Sequence, residues 1–229
     1  MSRFATLAGD TVGVLLGMGF CDHPVPARFA RASRTEQRGE LQLRTRRLAH
    51  PERGELRLVT IVSPRIDIIT LFCFPAPAQS FPVFAMELVV LGPRPVLGAI
   101  DLVDLSDTTS SRQLARDWLA QAHRRFPLPA AGDPPDWYQS CRSGSDFFVR
   151  PSDEGELTGL CEAHTWLWAC YTRHWPQALA LDGPGTEQHA RRQRNFRHHH
   201  RDHSPGLRLL ARSFGEAWTR EYLRDWVFA

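Results

Sequence analysis

Two stretches in the first third of the chain alternate apolar and polar residues with a period of two: Glu40-Leu41-Gln42-Leu43-Arg44-Thr45-Arg46, and Glu55-Leu56-Arg57-Leu58-Val59-Thr60-Ile61-Val62. Side chains of a strand point alternately to its two faces, so this pattern predicts two half-buried strands of an antiparallel meander. Three denser apolar runs follow, Asp67 to Phe74, Phe84 to Leu91 and Pro95 to Leu105, separated by turns that contain proline or glycine. These read as more deeply buried strands, and together they imply a sheet of five or more.

After Leu105 the period changes. Leu114, Trp118, Leu119 and Ala122 recur at three and four, the spacing of a one-sided helix, with Ser110-Ser111 as the expected cap. A Pro/Gly loop from Pro127 to Pro135, a short strand at Asp146 to Arg150, and a helix entered from Pro151-Ser152 and running through Trp166, Trp168 and Cys170 come next. The last forty residues read as helices with a break at Ser204-Pro205-Gly206. Residues 1 to 38 are weakly patterned, with a short helix expected before the proline break at His23-Pro24. Strands followed by helices, with no internal repeat, point to helices packed on an antiparallel sheet and away from a Rossmann alternation.

Composition narrows the function classes. At 229 residues with 42% hydrophobic and 23% charged residues, the chain suits one well-buried domain spanning residues 1 to 229. All 28 basic residues are arginine, and the formal charge of +3 is too small to argue for nucleic acid. Five cysteines, Cys21, Cys73, Cys141, Cys161 and Cys170, form no CxxC pair, so neither a disulfide framework nor a zinc or iron–sulfur signature is present and a reducing compartment is expected. The apolar patch Val12 to Phe20 lacks a basic flank, and no run reaches the roughly 20 apolar residues of a membrane span. A cytoplasmic monomer is the expectation. No glycine-rich dinucleotide motif is present either, so any redox chemistry needs an outside electron donor.

Several strings lie in one order over roughly three quarters of the chain: Asp67 to Pro77, Phe81-Pro-Val-Phe-Ala-Met-Glu-Leu-Val-Val, Gly98-Ala-Ile-Asp-Leu, Pro134-Pro-Asp-Trp137, Phe147-Phe-Val-Arg-Pro-Ser152, and the closing Phe214 to Phe228. From about residue 55 onward the chain thereby resembles the ferredoxin-dependent bilin reductases. The first 50 residues carry no such resemblance. The resemblance implies an α/β fold, a three-layer α/β/α sandwich with a central, mainly antiparallel sheet, in which biliverdin or a related linear tetrapyrrole lies between the sheet and the C-terminal helices. It also implies ferredoxin as a one-electron donor, no tightly bound cofactor or metal, and acid residues that protonate bilin radicals.

Residue by residue, the resemblance places the family's central catalytic aspartate on Glu87, after a segment whose usual glycine is Ala85. A carboxyl group buried against an apolar ligand stays protonated near neutral pH, as proton donation requires. The alternative is a strand-end glutamate paired with an arginine. The strand histidine and the earlier glutamate of four-electron family members fall on Thr70 and near Leu58, which points to two-electron chemistry. The aspartate of the C-terminal loop falls on Ser204, with Asp202 two residues upstream as a second candidate donor.

The stretch His198-His199-His200-Arg201-Asp202-His203 has three readings: a weak metal clip through His199 or His200 with His203, a solvated basic helix, or contact with the bilin. In the last, His199, Arg197, Arg201, Thr70 and Ser204 would bind lactam oxygens or propionates. From His189 to Asp225 nine arginines face four acids, a surface suited to an acidic ferredoxin. Two functions therefore compete: a ferredoxin-dependent bilin reductase, and a non-catalytic bilin carrier or accessory subunit of pigment biosynthesis that kept the pocket.

Overall fold

The computed structural model describes residues 2–36 and 39–229. Its centre is an eight-stranded, wholly antiparallel sheet. Four long strands follow one another as neighbours: β3 (Gly39–His50), β4 (Gly54–Ser63), β5 (Ile66–Pro75) and β7 (Val83–Leu91). Next come β8 (Arg94–Val103) and β9 (Phe147–Val149). At the other edge β1 (Cys21–Asp22) and β2 (Arg31–Glu36) both pair with β3. A separate two-stranded ladder joins β6 (Gln79–Ser80) to β10 (Leu179–Ala180). The two alternating stretches and the three apolar runs all became strands, each within a few residues of the expected span. The turn between β3 and β4 requires Gly54, whose φ is +127° and where a Cβ would sit 2.0 Å from the Phe74 carbonyl oxygen.

Period two divides the sheet's side chains between two helical layers. Behind it lie α1 (Ala5–Gly17), α3 (Thr109–Arg125) and α5 (Glu154–His174), and they bury Leu71, Phe84, Met86, Leu88, Ile100 and Leu102. Each such side chain contributes about 2 kcal/mol by leaving water. The helix α3 is capped by Thr108, whose hydroxyl accepts from the Ser111 amide, two residues ahead of the Ser110-Ser111 pair expected from sequence. Asp153 caps α5 in the same way. Close approach of α5 to the sheet depends on Gly98, where a Cβ would fall 2.3 Å from Leu160 Cδ1.

In front lie α6 (Gly183–His203), α7 (Gly206–Phe214), α8 (Glu216–Tyr222) and a wide π-type turn, Leu223–Val227. They cover Ile68, Phe72, Phe74 and Val59 with Phe196, Tyr222, Trp226 and Phe228. Short helices α2 (Ala27–Ala30) and α4 (Asp136–Gln139) complete the fold. The result is the expected α/β/α sandwich. No helix among the described residues is long and apolar enough to cross a membrane, and all five cysteines are free.

Candidate active site

Between the front face of the sheet and the C-terminal helices lies a cavity of about 330 Å³. Its floor is built at alternate positions of four strands: Val59 and Ile61 from β4, Ile68, Thr70 and Phe72 from β5, Ala85 and Glu87 from β7, Leu97 and Ala99 from β8. Pro135, Trp137 and Tyr138 form one wall, and Ser204 to Leu210 with Tyr222, Leu223, Val227 and Phe228 form the roof. Such an apolar space with a few convergent polar groups suits a flat, largely hydrophobic molecule.

Glu87 sits in the middle of β7, directly opposite Thr70 in the ladder, and the Thr70 hydroxyl donates to Glu87 Oε1 across 3.2 Å. It has no arginine partner among the described residues, so the ion-paired strand-end alternative does not describe it. Burial raises its pKa above the ordinary carboxyl value, and the Thr70 hydrogen bond offsets part of that rise. The carboxyl group so placed lines the cavity.

The roof is tied to the sheet at its rim. Arg57 on β4 donates to the Trp226 carbonyl and, at 2.9 Å, to that of Val227, while Arg197 on α6 donates to Ala229 O at 2.5 Å. Both guanidinium groups also meet the Glu55 carboxylate, at 2.6 and 2.9 Å, and Arg47 meets its second oxygen at 2.7 Å. Tyr222 and Thr45 share a hydroxyl bond of 2.8 Å. On the Trp137 wall, His199 Nε2 donates to the Trp137 carbonyl at 2.5 Å. His200 lies buried among Phe72, Phe196 and Phe228, with Nε2 3.6 Å from Cys141 Sγ. Burial lowers its pKa to about 3, so the ring is neutral.

A family model described as ferredoxin-dependent bilin reductase matches residues 16–229. The chain belongs to the ferredoxin-dependent bilin reductases. Two curated proteins are similar to it. The phycocyanobilin:ferredoxin oxidoreductase of Trichodesmium erythraeum is 27% identical over 181 residues, covering 76% of this chain and 69% of the relative. That of Synechococcus elongatus is 26% identical over 171 residues, covering 73% and 67%. Tomato phytochromobilin synthase, solved in complex with biliverdin, superposes with a TM-score of 0.82 over 99% of this chain and 83% of its own, at 16% identity. With that structure this chain shares the fold where little sequence is shared.

Of the residues singled out from sequence, the structure gathers Glu87, Thr70 and Ser204 around the cavity. It places the others elsewhere. Asp202 is exposed and pairs with Arg201 at 2.7 Å, and neither lines the cavity. Arg197 is held in the Glu55 cluster and stacks 4.0 Å over Phe74. His199 is occupied with the Trp137 carbonyl, and it is His200, one residue on, that lines the cavity. Leu58 faces the rear core, so the floor on β4 is Val59 and Ile61. Among the described residues no three His, Cys, Asp or Glu side chains converge as metal ligands; on α6 the His199 and His203 rings lie 4.7 Å apart. Sequence reading passed over Tyr138 and Arg150, both at the cavity, and singled out His200 only as a metal-clip candidate; the Pro134-Pro-Asp-Trp137 string was the available signal for Tyr138.

Proposed function

We propose that this protein carries out a two-electron reduction of a biliverdin-like linear tetrapyrrole, with electrons delivered singly by a ferredoxin and a proton from Glu87. The observation that carries this reading is the position of Glu87: a carboxyl group whose pKa burial raises, on the floor of an apolar cavity, in a bilin reductase. The planar tetrapyrrole would lie on Val59, Ile68 and Ala85 under Leu207, Leu223 and Phe228, its reacting carbons within reach of the acid. As an electron enters, the tetrapyrrole gains basicity, and the Glu87 O–H bond breaks as a new bond to hydrogen forms on the substrate. Thr70 in place of an imidazole, and hydrocarbon at Val59 and Ile61, leave this floor without the further acid–base groups that four-electron chemistry uses.

Arg150, exposed at the cavity rim with no ion pair among the described residues, suits a propionate. Exposed Arg191 and Arg194 on α6 and Arg208 on α7 suit an acidic electron donor. A monomer in the cytoplasm remains the working assignment. The second reading, a bilin carrier, is favoured by one observation: the roof position where the family uses an aspartate holds Ser204. One experiment separates the two. Purified protein is mixed with biliverdin, then with reduced ferredoxin, while absorbance is recorded. A shifted, sharpened band followed by its ferredoxin-dependent loss supports reduction; a stable shifted band supports carriage; an unchanged spectrum on mixing removes both.

A further inference from the structure

A reduction by two electrons consumes two protons, and Glu87 accounts for one. The front face of the sheet holds a second buried acid. In the β7–β8 ladder Glu87 stands opposite Ala99, and Asp101 follows two residues along on the same face, a diagonal neighbour about 7–8 Å from Glu87 between Cα atoms. Asp101 is 2% exposed and lies against a second buried carboxyl group, Asp146. Its oxygens accept from the Leu102 and Ser143 amides at 2.7 and 2.8 Å. Asp146 takes Arg142 Nε at 2.6 Å on one oxygen and the Tyr138 hydroxyl at 2.9 Å on the other. Tyr138 in turn lines the cavity.

The charge balance of this cluster is uneven. Two carboxyl groups face one guanidinium, and the other groups packed on them, the Cys141 thiol and the Tyr138 phenol, are neutral: both are pushed up, first by burial and then by these two acids. His200 touches Cys141 but is itself uncharged, and His123 is turned to the Ser145 carbonyl. A buried cluster with one excess negative charge takes up a proton. Burial and the neighbouring Asp146 accordingly raise Asp101 to about 7.

Building on the reductive reading above, we infer that Asp101 and Asp146, acting through Tyr138, supply the second proton of the reaction. Tyr138 is the group that meets the substrate; the two aspartates are its reservoir and hold it in position. When the second electron arrives from the ferredoxin, the Tyr138 O–H bond breaks as hydrogen joins the tetrapyrrole, and the phenol oxygen takes the proton held by the aspartate pair. A phenol beside carboxylates releases its proton only as it receives another, so the transfer runs as a relay. The pair, left with both groups ionised, regains a proton from solvent before the next turnover. This arrangement supplies from the wall what Ser204 cannot supply from the roof, since an alcohol is too weak an acid.

The test is single-turnover reduction of bound biliverdin by reduced ferredoxin in the full chain, comparing wild type, Tyr138→Phe, Asp101→Asn and Glu87→Gln. Tyr138→Phe keeps the ring and the wall, and Asp101→Asn keeps the side-chain shape and one of the two amide contacts, since its single oxygen can accept from only one of Leu102 and Ser143. Both are expected to bind biliverdin as wild type does, to accept the first electron, and to accumulate a half-reduced radical species whose decay is slowed about 100-fold or more. In wild type the decay rate should fall as pH rises through about 7, where Asp101 loses its proton, and Asp101→Asn should abolish that limb. Wild-type turnover by both variants with an unchanged pH profile overturns the relay, as does loss of biliverdin binding in Tyr138→Phe, which would make Tyr138 a packing residue. If Asp101→Asn does not fold, Tyr138→Phe decides alone. Failure of the wild type itself to reduce biliverdin sinks the reductase reading, a result distinct from failure of the variants.

Discussion

The Thr70 hydroxyl donates to the Glu87 carboxyl group across the β5–β7 ladder, and it is the one side-chain hydrogen bond that the described residues give Glu87. Hydrogen bonding to the charged form lowers a carboxyl pKa, whereas burial raises it, so Thr70 trims the acid strength of the proposed donor. Replacing Thr70 by Val removes the bond at nearly constant volume. The alkaline limb of the first, Glu87-dependent protonation should then move to higher pH in stopped-flow measurements, apart from the Asp101-dependent limb of radical decay. Glu87→Gln should bind biliverdin and lose about 100-fold or more in rate. Asp202→Asn, on the exposed side of α6, should turn over within about twofold of wild type, as surface substitutions usually do.

His164 on α5 gives a stability prediction. It is 1% exposed, shares Nε2 with the Thr11 hydroxyl at 3.0 Å, and among the described residues has no partner for Nδ1. Burial lowers its pKa to about 3 from the ordinary 6.5. Below 6.5 the unfolded chain therefore binds a proton that the folded chain refuses. The stability this group contributes is complete above pH 6.5 and declines between 6.5 and 3 by up to about 1.4 kcal/mol per pH unit. Urea unfolding of wild type and His164→Phe at pH 7.5 and 5 checks this. The wild type should lose more stability on acidification than the variant, the other titrating groups being common to both.

Glu55 should prove hard to replace. Its carboxylate is met by Arg47, Arg57 and Arg197, all three charges lying at a largely buried rim. Their attraction holds its pKa below the ordinary value despite burial, which alone would raise it. Glu55→Gln leaves three guanidinium groups without their shared anion, at a cost of about 3–5 kcal/mol. The loss would appear as a lowered urea midpoint, and because the Glu55 pKa is depressed, the wild-type advantage should shrink as pH falls below about 4.5.

Docking of the electron donor should respond to charge on α6. Arg192, Arg197 and Arg201 are committed to Asp107, Glu55 and Asp202, which leaves Arg191 and Arg194 exposed without carboxylate partners among the described residues. Charge reversal at both should raise the KM for ferredoxin several-fold and flatten its salt dependence, while a small neutral reductant should be used as before. An unaltered KM would move the docking face elsewhere.

The strands were legible because two of them alternate and three are dense apolar runs bounded by Pro/Gly turns, and so was the residue type at the cavity floor. What the sequence hid has physical causes. The two short edge strands, Cys21–Asp22 and Arg31–Glu36, carry almost no apolar alternation because both are largely exposed. Helix α1 contains Gly9, Gly13 and Gly17, which weaken its propensity, and its burial rests on Val12 and Leu15 with few others. The buried stripe of α6 is His189, Gln193, Phe196 and His200: its spacing is helical, but three of its four members are polar, so hydropathy does not reveal which histidine turns inward. On a helix His199 and His200 differ by about 100° in direction, enough to exchange cavity for surface. On β4 a one-residue step has the same effect, which is why Leu58 looks backward while Val59 meets the cavity.

The tying of the roof at its rim by Arg57 and Arg197, over an open centre, divides the molecule into a hard side and a soft one. A void denies the atoms around it their dispersion contacts, so the cover has less to lose on lifting than the continuously packed layer of α3 and α5 behind the sheet. Amide protons of Leu207 to Val227 should therefore exchange with solvent deuterium through local breathing, while those of β5, β7 and α5 await unfolding of the whole chain. A large, rigid guest can then come and go through the breathing side without the sheet that positions Glu87 ever losing its register.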